Sequence, residues 1–524
     1  MGTTDTAPHI TDTPTGINRN VFAVAAVIIG AIVVWGVFAP ASLTDASSAG
    51  FSFVTGYVGW FYSLLTLSVF IFMMWVGFGP HRAVPLGKDG VGPEYSTVSW
   101  VAMIFACGVG VGLLFYGPFE PLTFFLDLPP IYAGLEPGTE AAMHAALAQT
   151  LFHWGPIAWS YYALVGGAMA YAAYRKDRSQ LMSVLLEPIF GARTRGPLGA
   201  LVDIFAIIVT LFGTAISLGI GALQIGRGYE IVTGAGPLTN GALVAVIAVL
   251  GVVFITSAVS GIKRGIRFLS NLNTAIVGTV AAIVFIFGPT LLLINLLPGA
   301  FATFVGDLPQ LIAQSPSTSA DAGEFMSAWT TYYWAWWVSW TPFVGMFVAK
   351  ISKGRTLREF VVTVVLVPSA VCLVWFTILG GTSMRLEQEG GEVSAVGSPQ
   401  NVLFTVLESL PGGIILAAAA LLAIVVFFVT SADSASVVMG SLAERGAAVP
   451  SRWNTIMWGV ALTAVAAVLL VAGGDAALGQ MQQLMIVASL PFAVVVVLVM
   501  VAWAKELKQD PKSRQAQRTP PPTI

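Results

Sequence analysis

A chain of 524 residues that is 56% hydrophobic, only 10% charged and has a mean hydropathy of +0.83 is not a water-soluble domain. A net charge of −2 argues against a nucleic-acid partner. The two cysteines, Cys107 and Cys372, both sit in apolar runs and imply no disulfide framework.

A bilayer core of roughly 30 Å takes about 20 apolar residues per helix. The chain starts with a polar stretch, MGTTDTAPHITDTPTG, that lacks the basic region of a signal peptide and fits the myristoylation pattern poorly. Residues 1–20 are therefore expected to form a disordered tail. Apolar runs follow at about 21–39, 57–79, 97–117, 142–173, 198–221, 239–258, 269–297, 326–351, 358–380, 413–440, 455–473 and 482–504. They predict an all-α polytopic membrane protein of twelve transmembrane helices over 21–504. With the N-terminus inside, all Lys and Arg except Arg227 and Arg385 fall on the inner side. The expectation is a multi-pass inner (plasma) membrane protein with both termini cytoplasmic. Outer loops are acidic, with Glu120, Asp127, Glu136 and Glu140 in one and Glu387, Glu389 and Glu392 in another. Segments 298–314 and 138–150 are expected to lie along the membrane surface. The basic tail 505–524 continues the last helix and then becomes proline-rich and disordered.

The third run carries Gly108, Gly110 and Gly112 in ACGVGVGLLFYG. Each interior glycine costs a helix roughly 1 kcal/mol relative to alanine. Alternating glycines suit either tight helix packing or a helix unwound at mid-membrane so that backbone groups face a ligand. The eighth run, YYWAWWVSWTPFVGMFVAKISKGRTLREF, has a second weak point at Pro342. Two interrupted spans five apart suggest inverted repeats of five helices, spans 3–7 and 8–12, after two extra N-terminal helices.

Rings concentrate on two spans. In FHWGPIAWSYYAL, Trp154, Trp159 and Tyr162 share a broad helical face, with Trp154 and Tyr162 about 80° apart at 100° per residue. On the eighth span, Trp336, Trp340, Phe343 and Phe347 form a stripe, and Trp337 joins Trp340 by i, i+3 spacing. An aromatic belt at the bilayer surface explains Trp60, Trp100 and Trp453, which sit at span ends. The deeper rings suit either a packed core or a cage for a quaternary ammonium. Such a cation has no hydrogen to donate and binds to indole faces, at about 2 kcal/mol or more per desolvated ring. His153 beside the cage reads as a satisfied core residue, and Asp433 as a partner of Lys350 or part of an inner gate. No metal-ligand cluster, nucleophile triad or nucleotide loop appears, so an enzyme is not expected.

These stretches, together with HWGPIAWSYYAL and FFVTSADSAS, resemble the betaine/choline/carnitine transporter family over the whole twelve-span body, and most specifically in the eighth span. Within it the sodium-coupled glycine betaine carriers are closest in motif. The resemblance implies a leucine-transporter-like fold, a homotrimer, and uptake of a small zwitterionic or quaternary ammonium substrate for osmoprotection. It implies an aromatic box of Trp154, Trp159, Tyr162 and Trp337, with Trp340 on the pathway and Trp336 beside it. Gly112 stands where proton-coupled choline carriers tend to place Asp. A zwitterion brings its own carboxylate and needs the backbone N–H groups that Gly110 and Gly112 can expose. The resemblance also implies sodium as coupling ion. One site would use Ala106, Val109, Phe427, Thr430 and Ser431; another would use Thr210, Thr214 and Phe343. No other cofactor is implied. Ectoine, proline, choline or carnitine carriage with proton coupling or exchange, and a betaine receptor or osmosensor that transports nothing, are the alternatives.

Overall fold

A computed structural model describes residues 16–108, 110–260, 263–395 and 397–518. Among the described residues the regular structure is helical, apart from one antiparallel bridge between Pro85 and Thr356. Ten helices among the described residues are long and apolar enough to cross a membrane. They are Arg19–Phe38, Pro40–Phe78, Pro197–Thr233, Asn240–Ser260, Phe268–Phe287, Thr290–Ala313, Leu357–Gln388, Gly413–Ala443, Arg452–Gly473 and Ala477–Gln509.

The difference from twelve has physical causes. The third expected span is broken into Thr97–Gly108 and Val111–Leu126. The fourth is broken into Glu140–Trp154 and Pro156–Ala170. The eighth, Thr331–Ile351, is one helix whose many indole and phenol rings lower its hydropathy. Thr290–Ala313, after a break at Gly288-Pro289, takes in both the end of the expected seventh span and the segment expected on the membrane surface.

Breaks fall where the backbone chemistry puts them. Gly155 has ψ −144°, out of the helical region, and Pro156 restarts the helix at its first position, where a missing N–H costs nothing. Pro342, by contrast, does not interrupt the eighth helix. Proline has no N–H for the Val338 carbonyl four residues back, but the Thr341 hydroxyl donates to that oxygen at 2.7 Å. The adjacent residue repairs the ladder, so the expected weak point does not open.

Other expectations are also corrected. Segment 138–150 is not a surface helix: Thr139 caps it, and Ala142, Met143 and 145–154 are buried by protein. Glu120 is not in an outer loop but inside Val111–Leu126, fully buried. Trp100 is 1% exposed, with its indole donating to Ser352 Oγ at 3.0 Å and the Arg355 guanidinium 4.4 Å above its ring. Trp60 and Trp453 are exposed. Within the tail, Pro511–Arg518 is a short helix.

The basic connections gather at one end of the bundle. Leu86 N–H donates to Arg355 O, and Gly354 N–H to Leu86 O. Arg175 reaches Gly87 O, Asp89 and Asp510. Asn18 N–H bonds Ala443 O. Burial opposes charge on Asp510, but hydrogen bonds from Arg175 and Tyr171 outweigh it and hold that carboxyl below the usual carboxylate range. Arg175 likewise holds the Asp89 carboxyl down.

Candidate functional site

The helix break near Gly110 builds one wall of a central cavity. Gly110 is extended (φ −153°, ψ −177°) and precedes the first turn of Val111–Leu126. Leu113 N–H turns back to Gly110 O at 3.1 Å, and the Trp375 indole clamps Leu113 O at 2.8 Å. The first N–H groups of this helix therefore stand at the cavity, where the helix dipole is positive. Gly112 leaves room there, since a Cβ would sit 3.0 Å from Trp336 Cη2 and 3.1 Å from Trp154 Cη2.

The second break places the rings. With Glu140–Trp154 ended at Gly155, the His153 carbonyl loses its helical partner. The Trp337 indole donates to it at 2.8 Å. Trp337 thereby crosses to Trp154, with ring centres 4.9 Å apart at 72°. Tyr162 lies 6.3 Å from Trp337 and 5.2 Å from Trp159, both edge-on. Gly166 and Gly345 let the two ring-bearing helices touch: a Cβ on Gly166 would be 3.2 Å from the Gly345 carbonyl. Trp336 stacks on Trp337 at 5.2 Å, Trp340 follows at 6.0 Å from Trp336, and Phe343 at 6.0 Å from Trp340.

Together these residues enclose a cavity of about 220 Å³. Gly110, Gly112, Trp154, Trp159, Tyr162, Trp336, Trp337, Trp340, Phe343, Phe427, Thr430 and Ser431 all line it. So do Leu113, Ala158, Ser270, Val344, Phe347 and Ser434, of which only Phe347 was legible as part of a ring stripe. Its lining runs toward Phe347, near the helix end that carries Lys350 and the basic loops. On the opposite side Tyr116, Tyr332 and Tyr333 pack against Trp336 and are fully buried. Gln482 donates to Tyr116, whose hydroxyl bonds that of Tyr332 at 3.1 Å.

The hydroxyl groups behave differently. Thr430 donates to Val426 O at 2.9 Å within its own helix, and Thr214 to Thr210 O at 2.8 Å. Thr210 Oγ1 is buried without a protein partner. Thr210 and Thr214 are not among the cavity's lining residues. Val109 lies outside the described residues, and of Ala106 and Gly108 only the helical backbone is described. Asp433 accepts from Ser257 Oγ at 2.6 Å, and no ion pair with Lys350 occurs among the described residues.

Sequence reasoning missed Glu120. Its carboxylate accepts from His153 Nδ1 at 2.7 Å, Trp154 Nε1 at 2.8 Å and the Tyr333 hydroxyl. A carboxylate next to the apolar run GVGVGLLFYG was the available signal. The third apolar run ends at 117, which leaves Glu120 in the loop after it.

A family model described as betaine/carnitine/choline family transporter matches residues 20–512. The chain is 42% identical over 497 residues to a betaine/ectoine transporter of Corynebacterium glutamicum, covering 95% of this chain and 79% of that one. It is 37% identical over 494 residues to a glycine betaine transporter of Bacillus subtilis, covering 94% of each. An ectoine/hydroxyectoine transporter of Virgibacillus pantothenticus is 33% identical over 509 residues, covering 96% of this chain and 99% of that one. The relatives are transporters rather than enzymes. With a family model matching nearly its whole length and relatives 33–42% identical over most of both chains, the chain belongs to the betaine/carnitine/choline transporter family.

Proposed function

We propose that this chain is a sodium-coupled symporter of glycine betaine or a related compatible solute, serving osmoprotection. One observation carries the reading: a single cavity offers indole faces on one wall and a helix N-terminus on another. A zwitterion such as betaine has a group for each. Its trimethylammonium takes the rings of Trp154, Trp159, Tyr162 and Trp337. Its carboxylate takes the backbone N–H groups at Gly110 to Gly112. Sodium, a hard cation that prefers oxygen ligands, is assigned to Ala106 and Val109 carbonyls, Phe427 O, Thr430 and Ser431. A second ion is assigned beside Phe343 to Thr210 and Thr214, where a buried hydroxyl lacks a protein partner.

Each broken pair is taken as one crossing and Thr290–Ala313 as a helix along the surface, which restores twelve crossings, a 5+5 inverted repeat and both ends in the cytoplasm. The cavity's extent toward the basic end fits an inward-facing arrangement, from which rocking of one helix set would reopen the outer side. A homotrimer in the inner membrane is part of the proposal.

Betaine/ectoine and ectoine carriers among the relatives favour ectoine as the second substrate to try. The test is counterflow of labelled betaine in sodium-loaded proteoliposomes with unlabelled competitors. Exchange blocked by betaine or ectoine supports the reading. Saturable binding without counterflow would make the chain a receptor instead.

A further inference from the structure

The Glu120 carboxylate sits where an apolar side chain would pack without any desolvation cost. It is 0% exposed and reached by three donors from two other helices. His153 and Trp154 come from Glu140–Trp154, and Tyr333 from Thr331–Ile351. Hydrogen bonds to a buried carboxylate are short, directional and stronger than neutral ones. Here they act on the cage. Trp154 is itself a cage ring, so its N–H bond to Oε2 sets the plane of that indole. His153 carries the carbonyl that holds the Trp337 indole. Its ring is fixed by Glu120 at Nδ1, and by Gln149 at 3.1 Å and Thr330 at 3.2 Å from Nε2. Tyr333 stacks on Trp337 with centres 5.8 Å apart and belongs to the ring pack that shuts the side away from the basic loops.

We propose that Glu120 is the positioning residue of the cage and the clasp of its closed side: one carboxylate orients Trp154 and, through His153, Trp337, while its bond from Tyr333 ties Val111–Leu126 to Thr331–Ile351. Opening that side requires Tyr333 to leave the carboxylate. The orientation half of the proposal rests on the cavity being the betaine site; the clasp half does not.

The experiment uses the full-length protein in proteoliposomes, with Cys107 and Cys372 replaced by Ser and a reporter cysteine at Phe119, which packs beside Trp329 on the closed side. Betaine uptake and labelling of the reporter by a membrane-impermeant maleimide are measured for Glu120→Leu, Glu120→Gln and Tyr333→Phe. Glu120→Leu keeps the bulk and removes the acceptor. It should raise the half-saturating betaine concentration tenfold or more and speed labelling at least threefold. Glu120→Gln keeps an acceptor for Trp154 and Tyr333, and should return both values to within threefold of the parent. Tyr333→Phe should speed labelling with a smaller change in half-saturation. A folded Glu120→Leu protein with both values within twofold of the parent would overturn the proposal. Should that variant not fold, unchanged labelling in Tyr333→Phe overturns the clasp and unchanged half-saturation in Trp154→Phe, which removes the N–H bond to Glu120, overturns the positioning. Labelling needs no substrate. A parent protein that takes up no betaine therefore counts against the proposed function, while the labelling rates still decide the role of Glu120 in closing.

Discussion

The two ends of the central cavity are built by opposite rules. At the ring end the polar hydrogens of Trp154 and Trp337 are committed across helices, to Glu120 and to the His153 carbonyl. At the hydroxyl end Thr430 bonds back to a carbonyl of its own helix. Interhelical bonds fix relative positions of rings from three helices before any ligand arrives, so the ring end is preorganised. Back-bonds to the preceding turn fix nothing between helices. Under the proposed sodium coupling, the hydroxyl end would assemble around the ion and dissolve when it leaves. A coupled carrier needs that division: a stable recognition surface, and a junction between helix sets whose ligands form in one arrangement only.

This contrast can be broken by experiment, and the ion should show the largest effect. Replacing sodium by potassium at constant osmolarity should reduce betaine uptake to background, measured as initial rates in proteoliposomes. Full activity in potassium would remove the sodium assignment and favour proton coupling or exchange. Next is Thr430→Val, which keeps the shape and deletes the oxygen. It should raise the half-activating sodium concentration about tenfold, the equivalent of about 1.4 kcal/mol, with little change in betaine half-saturation at high sodium. A shift in betaine affinity alone would mean that the two ends are not separate. Gly112→Val perturbs the ring end instead. Its side chain would press on Trp336 and Trp154, and such overpacking costs typically 1–3 kcal/mol. Betaine half-saturation should rise while half-activating sodium stays within twofold.

The smallest effect on transport belongs to the basic end. Asp510 and Asp89 have carboxyls held below the ordinary range. A depressed carboxylate contributes stability above its unfolded value and loses it as pH falls through the folded one. The Pro511–Arg518 helix, tied by Asp510 and by the Ser513–His81 bond at 2.8 Å, should thus stay docked at neutral pH and come free in acid. Proteolysis of the tail at pH 7 and below pH 4 would read this, and Asp510→Asn should free it at both.

The ring end was legible in the sequence because indoles are rare and their helical spacing is informative. Helical period put Trp154, Trp159 and Tyr162 on one face, the family resemblance added Trp337, and all four line one cavity. Gly110 was legible because alternating glycines weaken a helix. What escaped was tertiary. Thr341 repairs the ladder at Pro342, so proline was a poor guide there. The Gly155-Pro156 break falls inside the single span expected over 142–173, and its consequence, a free carbonyl for Trp337, needs the partner helix. Glu120 was expected in an outer loop after a run ending at 117, but lies inside Val111–Leu126. The helix there is held by tertiary contacts that the sequence does not show, among them the Ser383 hydroxyl donating to the Pro118 carbonyl at 2.8 Å.

The central claim is that the ring end recognises a quaternary ammonium through its indole faces. Uptake of labelled betaine by Trp337→Leu protein, with folding verified by size exclusion and thermal unfolding, tests it most directly. Losing one desolvated ring costs about 2 kcal/mol, so half-saturation should rise about thirtyfold while half-activating sodium hardly moves. Unchanged betaine half-saturation in a folded Trp337→Leu protein would contradict the cage.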